Sequence, residues 1–83
     1  MMRDGLNRLI KREDLSEEEM AAMMDEVMSG NATDAQIGAM MAALATKGET
    51  FTELAGAARA MRRKAARIQT NADVVVAVHT FHF

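Results

Sequence analysis

Apolar residues return every three or four positions through most of the chain, a period that predicts helices. Leu6, Leu9 and Ile10 predict a short first helix over 4–12, with Asp4 placed to cap it. Ser16 and Glu19 have the spacing of a capping box, and Leu15 and Met20 flank it as a hydrophobic staple. Met20, Met23, Met24, Val27 and Met28 continue one face until Ser29-Gly30-Asn31, where Gly30 suits a left-handed C-terminal turn. Thr33 and Gln36 repeat the box for a third helix. Ile37, Met40, Met41 and Leu44 form its stripe, and Gly48 after Lys47 is its stop. Gly38 and the alanines at 39, 42, 43 and 45 leave this helix thin, so neighbours approach closely. Thr50 and Glu53 open a fourth helix, on which Phe51, Leu54, Ala58, Met61, Ala65 and Ile68 keep the same spacing. Gln69-Thr70-Asn71 then reads as a polar break. The β-branched run Asp73–Val78 predicts a strand meant for burial on both faces.

The predicted fold class is therefore all-α: an irregular four-helix bundle over 4–68, then a linker and strand-like tail over 69–83. Three capping signatures raise the thought of a repeat, but the helix lengths and apolar faces differ, which favours a bundle over a solenoid. At 83 residues the chain has room for one domain with a thin core, and not for a deep ligand cavity as well. A hydrophobic share of 49% with 27% charged residues marks it as globular rather than disordered. The absence of Cys excludes a disulfide framework, a thiolate zinc site and a cysteine nucleophile, and a reducing, cytoplasmic setting is expected. No apolar run approaches the ~20 residues of a membrane span, so no membrane partner is expected. Nor does the N-terminal stretch resemble a signal peptide.

Charge is unevenly spread. Residues 13–26 carry seven acids and no base, whereas 59–67 carry Arg59, Arg62, Arg63, Lys64 and Arg67 with no acid. The basic run has the look of a nucleic-acid patch. Helix dipoles explain both runs more simply, no aromatic interleaves with the bases, and the net charge is -2, so no nucleic-acid partner is expected.

Catalytic constellations are nearly absent. Ser16, Thr33 and Thr50 read as caps rather than nucleophiles, and the glycines at 5, 30, 38, 48 and 56 stand too far apart for a phosphate loop. In a strand the spacing of His79 and His82 puts them on opposite faces, which argues against a metal site. No catalytic, cofactor-binding or metal-ligating residue is assigned, and no cofactor is expected in this chain. The surplus of apolar side chains favours a fixed subunit surface over a free methionine-lined groove. The candidate dimer interface is Leu6, Leu9 and Ile10 of the first helix with Ile37, Met40, Met41 and Leu44 of the third.

Three stretches resemble anthranilate phosphoribosyltransferases. They are Leu6 to Glu19, Met28 to Leu44, and above all Lys47-Gly-Glu-Thr-Phe-Thr-Glu-Leu-Ala-Gly-Ala-Ala-Arg-Ala-Met-Arg62. The resemblance runs over roughly 6–68. Pyrimidine nucleoside phosphorylases share the helical domain and a similar Lys-Gly-x-Thr turn. The resemblance implies a much longer transferase with a helical domain and a large α/β domain. That complete enzyme moves the phosphoribosyl group of phosphoribosyl pyrophosphate to anthranilate, with magnesium, in tryptophan biosynthesis. It also implies a homodimer formed chiefly through the first and third helices. Asp73-Val74-Val75 is similar to the family's next strand, but Val76–Phe83 stands where a Gly-Thr-Gly-Gly-Asp pyrophosphate loop follows, so the family pattern is left after residue 75. The function expected is a helical dimerisation domain of anthranilate phosphoribosyltransferase, inactive alone and lacking the catalytic domain. The alternatives are a stand-alone helical interaction module or the equivalent domain of a pyrimidine nucleoside phosphorylase.

Overall fold

The computed structural model describes the backbone of residues 2–82 and the side chains of residues 2–66. Four helices follow one another: α1 Met2–Ile10, α2 Glu17–Met28, α3 Asp34–Lys47 and α4 Phe51–His82. The all-α expectation holds, and the helix starts fall where the sequence placed the second, third and fourth caps. At α2 the Glu19 N–H donates to Ser16 Oγ at 3.1 Å while the Ser16 N–H donates to Glu19 Oε1 at 2.9 Å. Thr33 with Gln36, and Thr50 with Glu53, close the same reciprocal pairs. Each box satisfies two backbone groups that a helix start otherwise leaves bare. Ser16→Ala and Thr33→Ala are each expected to lower stability by about 1 kcal/mol, readable as a lower urea midpoint at unchanged slope.

Helix ends are set by left-handed residues. Gly30, at φ 76°, ends α2: its N–H reaches Val27 O at 3.2 Å and the Asn31 N–H reaches Glu26 O at 3.0 Å. Arg12 does the same for α1 at φ 64°, with Arg12 N–H on Leu9 O at 2.9 Å and Glu13 N–H on Arg8 O at 2.9 Å. This turn corrects the predicted boundaries of the first helix. It begins at Met2 and stops at Ile10, so Asp4 lies in its first turn instead of capping it.

The strand-like tail is also corrected, because the α4 backbone stays helical through Gln69-Thr70-Asn71 and Asp73–Val78 to His82. No Gly or Pro follows Gly56 to interrupt it. Among the described residues there is no neighbouring strand, and a lone strand leaves its N–H and C=O groups without a ladder, whereas a helix satisfies its own. The expectations for Ile68, His79 and His82 concern side chains outside the described residues.

In space α1 packs on α3 and on α2, and α2 packs on α4. The core is made of Met2, Leu6, Leu9, Leu15, Met20, Met23 and Met40, with Met24, Val27, Ala43, Leu44 and Ala57 packed around it. Leu15 and Met20 are both buried there, as a staple requires. The unbranched methionines suit this irregular junction of short helices. Between α2 and α4 the fit is tighter, because Ala21, Gly56 and Ala60 are all buried. Small residues let the two backbones approach closely.

Candidate functional site

The residue that sequence reasoning undervalued is Glu53. Its place three residues after Thr50 marks it as the closing member of a capping box, yet it is fully buried. Its Oε1 accepts from the Thr50 N–H at 2.9 Å and from Lys47 Nζ at 2.7 Å, and its Oε2 accepts from the Leu15 N–H at 2.8 Å. Lys47 is itself almost covered, and it also donates to Asp14 Oδ1 at 3.0 Å and to Gly48 O at 2.8 Å. One carboxylate therefore joins the end of α3, the start of α4 and the loop before α2. Burial works against the charge on Glu53, but the Lys47 ammonium and the two N–H groups outweigh it and hold the carboxyl below its ordinary range. Burial likewise opposes the charge on Lys47, and Glu53 and Asp14 more than compensate, raising it above the usual lysine range. All three ammonium protons of Lys47 are engaged, so the cluster is a closed clasp with nothing left over for a substrate. The only hint in the sequence was the joint presence of Lys47 and the Thr50–Glu53 box on either side of Gly48.

The acidic and basic runs meet each other. Arg59 Nη1 lies 3.4 Å from Glu17 Oε2 and Arg63 Nη2 lies 3.2 Å from Asp25 Oδ2, across the α2–α4 contact. At the start of α2, Arg8 binds Glu19 and lies 3.4 Å from Glu13, and it donates to the Asp14 carbonyl at 2.8 Å. The Ser16 N–H and hydroxyl, followed by Arg8, hold the Glu19 carboxyl below its ordinary range. These carboxylates are answered by bases, and among the described residues no group of three His, Asp or Glu side chains gathers as a metal site. No described helix is long and apolar enough to cross a membrane.

The remaining candidates are surfaces. Of the seven residues proposed for the dimer interface, Leu6, Leu9 and Met40 lie in the chain's own core, and Ile37 and Leu44 are half-buried. Ile10 and Met41 stand out at 63% and 67% exposure. Beside Ile10 a shallow groove of about 260 Å³ runs between α1 and α3, floored by Ala39, Ala42 and Ala43 and edged by Leu9, Arg12 and Thr46, while Met41 stands on another side of α3. The thin third helix creates this hollow. A second apolar surface lies on α4. The stripe read from the sequence is present, but it faces away from α2: Phe51 is 92% exposed, Leu54 51% and Met61 49%. The helix buries its other side, through Glu53, Gly56 and Ala60.

The sequence profile of the glycosyl transferase family, helical bundle domain, matches residues 3–65. The chain is similar to an anthranilate phosphoribosyltransferase of Syntrophobacter fumaroxidans, 71% identical over 76 residues, which are 92% of this chain and 23% of that protein. One from Desulfosudis oleivorans is 64% identical over 76 residues, 92% of this chain and 22% of its own length. Another from Geotalea daltonii is 51% identical over 75 residues, 90% of this chain and 21% of its own. The chain thus spans less than a quarter of these curated relatives.

Proposed function

The chain belongs to the glycosyl transferase family as a helical bundle domain, and from that premise we propose that it is the helical domain of an anthranilate phosphoribosyltransferase, pairing with a second copy through α1 and α3. Identity of 71% over 76 residues to a protein of that name is the observation that carries the assignment. Phosphoribosyl transfer to anthranilate, its magnesium and its place in tryptophan biosynthesis then belong to the complete cytoplasmic enzyme. The sequence carries no glycine-rich run of the kind that cradles a pyrophosphate, and on that ground the chain alone is proposed to be inactive. Its contribution is a rigid clasped bundle and the surfaces that bundle presents.

The pairing surface follows from shape. Ile10 protrudes at the edge of an alanine-floored hollow between α1 and α3, and Met41 is exposed on another side of α3. A two-fold axis sets a patch against itself, so the protrusion of one copy meets the hollow of the other. Such an arrangement buries side chains that otherwise stay wet, without opening the core. Ile10→Glu puts a carboxylate into that contact twice, at a cost of several kcal/mol when no partner is supplied. We expect the variant to sediment as a monomer with its helical circular dichroism intact, where the parent chain sediments as a dimer. A parent that stays monomeric at high concentration, or a variant that loses its helix, defeats the pairing assignment. Formation of phosphoribosyl anthranilate by the purified chain defeats the statement that it is inactive alone.

A further inference from the structure

The two rims of the hollow between α1 and α3 are tied by their chain neighbours. Arg12 and Thr46 both line it. Lys47, the last residue of α3, follows Thr46 directly, and Asp14 stands two positions after Arg12. Lys47 Nζ donates to Asp14 Oδ1 at 3.0 Å, so one ion pair bridges from rim to rim. Asp14 is held from its other side as well, because its carbonyl accepts from Arg8 Nη2 of α1 at 2.8 Å. Its backbone therefore follows α1 while its carboxylate follows α3. We propose that Asp14 is a positioning residue: it sets the spacing of α1 and α3 across the hollow, and through that spacing how tightly a second copy of the chain seats there. This rests on the pairing assignment under Proposed function and adds to it the side chain that shapes the surface.

Asp14 does little for the fold itself. Its side chain is 66% exposed, and ion pairs open to water contribute little to stability. Without it Lys47 keeps its buried partner, Glu53 Oε1 at 2.7 Å, and the Gly48 carbonyl at 2.8 Å. What depends on Asp14 is shape. Beyond Ile10 the chain turns out of α1, with Arg12 left-handed at φ 64°, so this part of the rim is loop and takes its place from what binds it. The floor is Ala39, Ala42 and Ala43, whose methyl groups have no rotamer with which to follow a wall that moves. A side chain seated between such walls loses much of its dispersion attraction when a gap of even half an ångström opens. Glu13 supplies a built-in comparison. It is an exposed acid beside Asp14, but its carboxylate lies 3.4 Å from Arg8 Nε and so answers α1, the helix it follows in the chain.

The test is sedimentation equilibrium of the 83-residue chain beside its Asp14→Ala, Asp14→Asn and Glu13→Ala variants, each also followed by circular dichroism and urea unfolding. Asp14→Ala is expected to raise the dissociation constant of the pair about tenfold, because each copy loses one bridge and a two-fold contact counts the loss twice. Its helicity stays intact and its urea midpoint nearly unchanged. Asp14→Asn keeps an oxygen that accepts from Lys47, so it restores most of the affinity. Glu13→Ala removes the same charge one residue away and leaves pairing as it was. Methyl NMR on the chain diluted to monomer reads the hollow directly: the Ala39, Ala42 and Ala43 signals shift in Asp14→Ala and return in Asp14→Asn. A dimer constant that Asp14→Ala leaves unchanged, or methyl signals that do not move, overturns the positioning role and leaves the pairing assignment standing. Equal weakening by Glu13→Ala and Asp14→Ala assigns the effect to net charge and overturns it too, as does a urea midpoint that falls in Asp14→Ala as far as in Glu53→Leu. A parent chain that stays monomeric at high concentration overturns the pairing assignment and this role together.

Discussion

Replacing Glu53 by leucine is expected to remove a large part of the stability of the chain, about 3–5 kcal/mol, as measured by urea unfolding followed by circular dichroism at neutral pH. A domain of this size has roughly 4–12 kcal/mol in all. The loss is large because three donors converge on one buried carboxylate. Removing it takes from the Lys47 ammonium, which is only 5% exposed, its buried counter-charge, leaving Asp14 and Gly48 O, and it leaves the N–H groups of Leu15 and Thr50 without that acceptor. Glu53→Gln keeps the volume and one acceptor but no charge, and its amide nitrogen turns a donor towards a donor, so an intermediate loss is expected. The pH dependence has a definite sign. Glu53 has a lowered folded pKa, so its contribution is complete above the ordinary glutamate value of about 4.3 and is lost as pH falls through the folded value. Lys47 has a raised one, so its contribution is lost only as pH climbs beyond the usual lysine range. Glu19 acts in the same direction as Glu53, but its side chain is about two-fifths exposed and solvent screens it. As pH falls below about 4.3 the parent chain should therefore lose stability, and Glu53→Gln much less so. Parallel acid limbs for the two proteins contradict the clasp.

Local rules made much of this fold legible. Ser16 with Glu19, Thr33 with Gln36 and Thr50 with Glu53 are contacts within one turn, and the spacing alone specifies them. Gly30 and Gly48 announce their turns because a left-handed residue is cheapest as glycine. Arg12 was not legible for the opposite reason: it adopts the same conformation as a non-glycine residue, held by backbone bonds on Leu9 and Arg8 and by the packing of Leu9. The tail misled because β-branched residues favour a strand only when a neighbouring strand exists, and that depends on tertiary context. The surfaces were half legible. Periodicity finds the apolar row on α4 and the apolar residues of α1 and α3, but it cannot say which row is covered. Leu9 and Ile10 are adjacent, and one is in the core while the other is 63% exposed. The long-range part of the Glu53 clasp, its bond to Leu15 across 38 residues, has no sequence signal beyond the residue types.

Two identical substitutions are expected to have opposite signs. Gly56→Ala should destabilise the chain by about 1–3 kcal/mol although alanine is the better helix former by about 1 kcal/mol. A Cβ at Gly56 lands within contact distance of the Glu17 carbonyl oxygen and 3.0 Å from Met20 Cβ. The first of these is backbone at the start of α2, where the capping box with Ser16 fixes the chain. It has no rotamer to change, so α2 and α4 must move apart. That movement also stretches Arg59 from Glu17 and Arg63 from Asp25, the ion pairs laid across the same contact. Gly56→Val adds two methyl groups to the same space and should cost more. Gly38 sits in the middle of α3 with no atom within 4 Å of its would-be Cβ and no unusual backbone angle. Gly38→Ala should therefore gain about 0.5–1 kcal/mol from the reduced freedom of the unfolded chain. The pair is best measured side by side as urea midpoints, at a concentration low enough to keep the chain monomeric, because Gly38 lies on the exposed side of the proposed pairing helix. Equal shifts for the two variants mean that α4 does not approach α2 as closely as the buried row of Ala21, Gly56 and Ala60 requires.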